Sequence, residues 1–144
     1  MYELCNSFPK LCNALKYPSF HLYSVTIQLQ TEIIKMENKK IESCIEACET
    51  CAEACETCST ENKGKVGMEH SVELCIACAD ACNSLVAASK TNSDLDALCK
   101  KCEDACNACA TECEKHSEMK HCKECADACR KCAAECKSML AVAA

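Results

Sequence analysis

Cysteine is the residue with the greatest capacity for chemistry in this chain, because twenty of its 144 residues are cysteine. Eighteen of them lie in and around a motif, C-x-x-C-x-[DE]-A-C, that occurs four times. The copies are CETCAEAC (48–55), CIACADAC (75–82), CKKCEDAC (99–106) and CKECADAC (122–129). Thiolates are soft ligands for metal ions. The repetition therefore indicates binding of several soft metal ions, and it singles out no individual thiol as a nucleophile.

The cysteines around each copy are spaced three and four residues apart, which places them on one face of an α-helix. These are the core positions that leucine and isoleucine normally occupy. Charged residues such as Glu46, Lys100 and Arg130 fall between them and are expected to face water. Eighteen thiols are thus predicted to line one interior as metal ligands. They are Cys44, Cys48, Cys51, Cys55, Cys58, Cys75, Cys78, Cys82, Cys99, Cys102, Cys106, Cys109, Cys113, Cys122, Cys125, Cys129, Cys132 and Cys136.

The four motif copies predict four helices, since their starts are 27, 24 and 23 residues apart, the length of one helix and a short turn. The chain has only two glycines and two prolines, which disfavours an all-β fold. We expect an all-α, up-down-up-down antiparallel four-helix bundle, with helices at about 38–60, 68–89, 93–115 and 118–140. Gly64 and Gly67 mark the first turn, and Asn92 or Ser93 is a candidate cap of the third helix.

The composition changes near residue 36. Residues 1–35 hold both prolines, both phenylalanines, all three tyrosines and only Cys5 and Cys12. We interpret 1–35 as a divergent N-terminal extension, partly helical over 22–35, and 36–144 as the cysteine-rich bundle. Cys5, Cys12 and His21 receive no role.

Charge and hydropathy exclude several classes of function. The formal net charge of -6 disfavours nucleic-acid binding, which needs an excess of Lys and Arg. No apolar run approaches a membrane span, and the N-terminus lacks a basic segment followed by an apolar one. We therefore expect a cytoplasmic protein without membrane contact. Clustered cysteines in that reducing compartment favour metal or redox chemistry over a disulfide scaffold. No catalytic arrangement of side chains is evident, so the chain is not expected to be an enzyme.

Spacing favours Cu(I) among the soft metals. Cysteines four apart on a helix have β-carbons about 5–6 Å apart. Two metal–sulfur bonds end to end span about 4.5 Å, so such a pair suits a two-coordinate ion. Zinc requires four ligands, and iron–sulfur clusters are wrapped in irregular backbone. The sequence predicts storage of multiple Cu(I) ions, approaching roughly one per core cysteine if thiolates bridge. The alternatives are a zinc or general metal buffer that resembles metallothionein, and a redox or disulfide-bonded interaction protein.

Weaker copper ligands gather at one end of the predicted bundle. In an up-down-up-down arrangement the first and third turns lie at the same end. Thioether and imidazole groups there would bind Cu(I) less strongly than thiolates. We predict that copper enters and leaves at this end, past Met68, His70, His116, Met119 and His121.

The repeated motif, with Cys-x-x-x-Cys pairs such as Cys51/Cys55 and Cys102/Cys106, resembles the bacterial copper storage proteins over approximately residues 36–144. The resemblance implies a four-helix bundle, often a homotetramer, that binds many Cu(I) ions per subunit and has an open end bearing His and Met. Exported members carry a twin-arginine signal, so the chain resembles the cytosolic branch. A copper chaperone or an efflux system is the expected class of partner. Residues 1–35 depart from the family pattern.

Overall fold

The computed structural model describes residues 18–91 and 94–143, and within them it is all-helical. Helix α1 spans Pro18–Asn62, α2 spans Glu69–Ser89, α3 spans Asp96–Glu114 and α4 spans Lys120–Ala143. The predicted all-α class is confirmed, and the bounds of α2, α3 and α4 agree with the prediction to within three residues.

Helix α1 is longer than predicted, because it begins at Pro18 and continues through Met36 without a break. Proline is well tolerated in the first turn of a helix, and no glycine or further proline follows it to end the helix early. The predicted start near residue 38 was wrong. Leu22, Leu29, Ile33 and several other large apolar residues of this segment are more than half exposed. The chain divides into compact units between Asn38 and Lys39, and the predicted domain boundary near residue 36 stays a prediction.

The first turn uses both glycines of the chain. Gly64 and Gly67 have φ of 81° and 83°, the left-handed conformation that favours glycine. The turn is held by backbone bonds from Lys65 N to Asn62 O and from Met68 N to Lys65 O. Asn92 and Ser93, the predicted caps of α3, lie outside the described residues. Close to that position, a carboxylate oxygen of Asp94 accepts a hydrogen bond from the backbone N–H of Asp96 at 3.1 Å.

Helix α2 is the one described helix that is long and apolar enough to cross a membrane by length and composition, with a window of mean hydropathy 1.4. This finding differs from the expectation that no segment approaches a membrane span. A single helix of this kind is weak evidence, because the core helix of a soluble protein passes the same test; 39% of the window is buried inside the protein. Its apolar character comes partly from Cys75, Cys78 and Cys82, which are fully buried.

Sulfur contacts establish the directions of the four helices. Cys44 contacts Cys136 and Cys58 contacts Cys122, so α1 and α4 are antiparallel. Helix α1 is parallel to α3, because Cys48 contacts Cys102 and Cys58 contacts Cys113. Helix α2 is parallel to α4, since Cys75 contacts Cys125 and Cys82 contacts Cys132. Helix α2 is antiparallel to α3, since Cys75 contacts Cys109 and Cys82 contacts Cys102. The up-down-up-down bundle is thus confirmed.

Candidate metal centre

The core of the bundle consists almost entirely of thiols and alanine methyl groups. All eighteen predicted ligand cysteines are free thiols, and each is at most 3% exposed. Alanines such as Ala47, Ala79 and Ala110 fill the space between them. The prediction that these cysteines share one interior is confirmed.

The thiols form five layers along the bundle, and each of the three central layers takes one cysteine from every helix. The first and last layers contain three thiols each. In order, the layers are Cys44, Cys99 and Cys136; Cys48, Cys82, Cys102 and Cys132; Cys51, Cys78, Cys106 and Cys129; Cys55, Cys75, Cys109 and Cys125; and Cys58, Cys113 and Cys122.

Sulfur atoms within a layer are close enough to share one metal ion. In the middle layer the Sγ of Cys51 lies 3.7 Å from that of Cys78, 3.9 Å from Cys106 and 3.6 Å from Cys129. The Cys78 and Cys106 sulfurs are 3.5 Å apart. Three thiolates at about 2.3 Å from one ion would be roughly 4 Å from one another, so these triangles suit a three-coordinate ion.

Layers also connect along the bundle. Cys51 and Cys55 lie 4.0 Å apart, Cys102 and Cys106 3.9 Å, and Cys109 and Cys113 4.0 Å. These three are among the seven Cys-x-x-x-Cys pairs that the sequence suggested as units of binding. The shortest sulfur contacts, at 3.5 Å, join different helices instead. A sulfur such as that of Cys51 thus contacts sulfurs of its own layer and of the next layer. This is the arrangement that a thiolate bridging two metal ions requires.

Hydrogen bonds among the thiols displace their pKa values in opposite directions. The hydrogen bond with Cys109, together with burial, raises the pKa of Cys55. The hydrogen bond with Cys106 holds the pKa of Cys51 below its ordinary value. The hydrogen bond with Cys109 lowers the pKa of Cys113 to about 4. Binding of metal ions to all of these sulfurs requires loss of the thiol protons, so metal uptake and proton release are coupled.

The layer of Cys58, Cys113 and Cys122 ends in polar side chains, and we call this the polar end. Asn62 is only 1% exposed, and its Nδ2 donates to the sulfurs of Cys58 and Cys122, both at 3.4 Å. Asn62 Oδ1 lies 2.8 Å from His121 Nε2. A hydrogen-bonded chain therefore leads from the half-buried His121 to the thiols.

A second group at the polar end surrounds Glu112, which is buried beside α2. Its carboxylate lies 2.6 Å from Lys115 Nζ and 3.7 Å from His116 Nε2. The hydrogen bond with Lys115 lowers the pKa of Glu112, and charges on His70 and His116 act in the same direction. This end of the thiol column thus carries imidazole, amide and carboxylate groups.

The predicted copper-uptake residues occupy different environments. Met68 is buried in the core, and Met119 is partly buried and packs against the same core. His116 and His121 are half-buried, whereas His70 is well exposed and lies 3.9 Å from Glu73. His116 Nε2 lies 3.7 Å from the Glu112 carboxylate, and His121 Nε2 lies 2.8 Å from Asn62 Oδ1. The structure thus brings two of the three histidines against buried polar residues near the last thiol layer, whereas His70 lies at the surface beside Glu73.

Sequence reasoning missed three buried polar residues here: Asn62, Ser71 and Glu112. Asn62 lies just beyond the predicted end of the first helix at about residue 60. It follows Cys58 by four residues and Cys55 by seven, so the helical phase of the cysteines already placed it on the core face. Ser71 precedes Cys75 by four residues and carried the same signal.

The opposite layer, of Cys44, Cys99 and Cys136, ends in apolar side chains, and we call this the apolar end. Leu85 is 2% exposed and takes the phase of the cysteines on α2. A cavity of about 10 Å³ is lined there by Ile41, Ile45, Leu95 and Met139, together with Cys44, Cys99, Leu85 and Ser89. The apolar end offers weak ligands at most, in the thioether of Met139 and the hydroxyl of Ser89.

Comparison with known proteins identifies the arrangement. The family described as copper storage protein matches residues 37–141. Apo copper storage protein 3 from Bacillus subtilis is 42% identical, with a TM-score of 0.65, covering 69% of this chain and 97% of that chain. The Cu(I)-bound copper storage protein BsCsp3 is 41% identical, with a TM-score of 0.65, covering 70% and 98%.

A further solved structure is the copper storage protein Ccsp from Streptomyces lividans, loaded with 10 copper equivalents. It is 32% identical, has a TM-score of 0.68, and covers 72% of this chain and 85% of that chain. None of the curated protein sequences matches this chain significantly. The family match extends over most of the chain, and the thiol column lies within it. The chain belongs to the copper storage protein family.

Proposed function

We propose that this protein stores its copper on the eighteen thiolates of the five-layer column and keeps that store in the cytoplasm. Storage of multiple Cu(I) ions follows from the family and from its copper-loaded members. The observation that carries the residue assignment is the set of buried cysteine groups, such as Cys51, Cys55, Cys78 and Cys129, whose sulfurs all lie within 4.8 Å of one another.

The load is expected to approach roughly one Cu(I) per core thiol, because most of the sulfurs contact several others, within and between layers, and can bridge ions. Bridging also balances charge, since one Cu(I) per thiolate leaves the column neutral. A neutral column avoids the cost of burying unpaired thiolates in a dry core. The same charge balance requires release of about one proton per bound ion.

Copper is proposed to enter and leave at the polar end. There His121 and Asn62 connect the surface to the last layer of thiols, and Met68, His70, His116 and Met119 add further weak ligands. Weak ligands suit transfer, because an ion held by imidazole or thioether is passed on readily to thiolates. At the apolar end, Leu85 and its neighbours offer no comparable route.

We also propose a cellular compartment, a role without catalysis, and the partners and oligomeric state of the protein. The cytoplasm suits eighteen free thiols, most of which lie within 4.0 Å of another sulfur, because an oxidising compartment would pair them as disulfides. A storage role without catalysis suits an array in which no thiol is distinguished by an adjacent base. Delivery by a copper chaperone, removal by an efflux system, and assembly as a homotetramer are proposed from the family resemblance.

The decisive test is an anaerobic titration of the reduced protein with Cu(I) against a competing chelator, with a parallel Zn(II) titration. We expect tight uptake of more than about ten Cu(I) per chain and far fewer zinc ions. A variant with serine at Cys51, Cys78, Cys106 and Cys129 should lose about four ions, whereas Ser59→Ala, a half-buried control outside the thiol column, should lose none. Saturation at a few ions, or an unchanged load in the four-serine variant, would contradict the assignment.

A further inference from the structure

Ser71 is the only described residue with a buried side-chain oxygen or nitrogen that has no hydrogen-bond partner. It lies in the first turn of α2 and is 1% exposed. Buried hydroxyls are normally paired, because an unpaired one has lost its hydrogen bonds to water. Ser71 therefore needs an explanation that the protein groups around it do not supply.

Other hydroxyls on the described helices behave differently. Thr50, Thr57 and Thr111 each donate to the backbone carbonyl four residues earlier, and Ser84 on α2 does the same with Asp80 at 2.8 Å. Serine and threonine hydroxyls within a helix commonly donate to the backbone carbonyl of the preceding turn. Ser71 makes no such bond, although it sits where no water reaches it.

Helix geometry places Ser71 at the level of the last thiol layer. Cys75 contacts Cys109 on the antiparallel helix α3 at 3.6 Å. Ser71 lies four residues before Cys75, and Cys113 lies four after Cys109. Both steps run about 6 Å toward the polar end on the core faces of their helices. Ser71 thus occupies the fourth corner of the layer formed by Cys58, Cys113 and Cys122, the corner that a cysteine fills in the three central layers.

In the last thiol layer, the sulfurs of Cys58 and Cys122 already have a polar hydrogen-bond donor. Asn62 Nδ2 lies 3.4 Å from both Cys58 and Cys122, and no nitrogen or oxygen donor lies within hydrogen-bond distance of Cys113 among the described residues. The hydrogen-bonding contacts of Cys113 among the described residues are all with other sulfurs, those of Cys58, Cys75 and Cys109. A thiol sulfur is a weak acceptor, whereas a thiolate is a strong one.

We propose that the Ser71 hydroxyl is a positioning group reserved for the copper-loaded state, in which it donates a hydrogen bond to the thiolate of Cys113. Together with Asn62 it then supplies every metal-bound thiolate of the last layer with a polar donor. The hydroxyl thereby stabilises copper at the polar end without being a ligand. This inference rests on the proposed function, because it requires Cu(I) on the last layer.

The test compares Ser71→Ala with Ser84→Ala, a matched control on the same helix. Each protein is loaded anaerobically with Cu(I), and release to an excess of a chromogenic Cu(I) chelator is followed. We expect Ser71→Ala to release a minor fraction of its copper, about one or two ions, roughly tenfold faster than the unmodified protein. Ser84→Ala should release copper at the unmodified rate. Ser71→Cys should bind about one ion more, because it completes a fourth four-thiol layer.

Thermal unfolding of the copper-free proteins separates this role from a merely structural one. Removing an unpaired hydroxyl is neutral or stabilising, so Ser71→Ala should melt no lower than the unmodified protein when empty. Unchanged copper release, or a loss of stability in the empty state, would overturn the role of Ser71. An unmodified protein that binds only a few Cu(I) ions would instead overturn the proposed function, so the two failures are distinguishable.

Discussion

The two ends of the thiol column have the same number of cysteines and opposite surroundings. At the polar end, Cys58 and Cys122 accept hydrogen bonds from Asn62, with His121 behind it, and Ser71 is buried in the first turn of α2. At the apolar end, Cys44, Cys99 and Cys136 meet Leu85 and a small cavity lined largely by aliphatic side chains. A buried thiolate is stabilised by hydrogen-bond donors and destabilised by aliphatic neighbours. This difference supports our proposal that copper enters and leaves at the polar end, while Leu85 and its aliphatic neighbours at the apolar end provide packing.

The largest expected effect is on stability at the apolar end. Leu85→Ala removes one of the few large aliphatic side chains from a core of cysteine and alanine, and we expect it to cost about 3 kcal/mol of unfolding free energy. Chemical denaturation of the copper-free protein measures this loss. Val86→Ala, a half-buried neighbour on α2, should cost clearly less. Equal losses in the two variants would contradict the packing role of Leu85.

The next largest effect is on the rate of Cu(I) loading, which should depend on the thiol layer at the polar end and not on the one at the apolar end. Serine at Cys58, Cys113 and Cys122 should slow the loading of the remaining fifteen thiols by tenfold or more, because copper then has to cross a layer without thiolates. The same three replacements at Cys44, Cys99 and Cys136 should reduce capacity by about three ions and leave the rate unchanged. Stopped-flow uptake from a weak Cu(I) complex measures both. Equal slowing by the two triple variants would show that copper enters at both ends.

A smaller effect is expected from the histidines of the polar end. Replacing His70, His116 and His121 with alanine should slow loading several-fold and leave capacity unchanged, since imidazoles transfer the ions and thiolates hold them. His121→Ala alone should account for most of this loss, because it contacts Asn62, which donates to two sulfurs. Met139→Leu at the apolar end is the control and should load normally. Unchanged loading of the triple variant would contradict a role for these histidines in uptake.

The sequence predicted most of the fold and of the thiol column, for identifiable physical reasons. The three- and four-residue spacing of the cysteines determines one helix face, so burial of all eighteen followed from periodicity. It did not determine which sulfurs meet across helices, because the relative heights of four helices depend on turns and packing. Asn62 and Ser71 were missed because a polar residue near a helix end is read as a cap or turn residue. The start of α1 was missed because the three- and four-residue cysteine spacing, the signal used to place the helices, is absent from residues 18–43.

The smallest effect concerns pH and again distinguishes the two ends. Lys115 and the nearby histidines hold the pKa of Glu112 below its ordinary value of 4.5. A carboxylate with a depressed pKa stabilises the folded protein above its ordinary pKa, and this contribution is lost as the pH falls through the lowered value. Glu112→Gln should therefore lower the melting temperature of the copper-free protein slightly at pH 6, and by progressively less as the pH falls below 4.5. Glu73→Gln, at an exposed position on α2, is the control substitution. A difference in melting temperature between the unmodified protein and Glu112→Gln that stays the same as the pH is lowered would contradict a contribution from this ion pair.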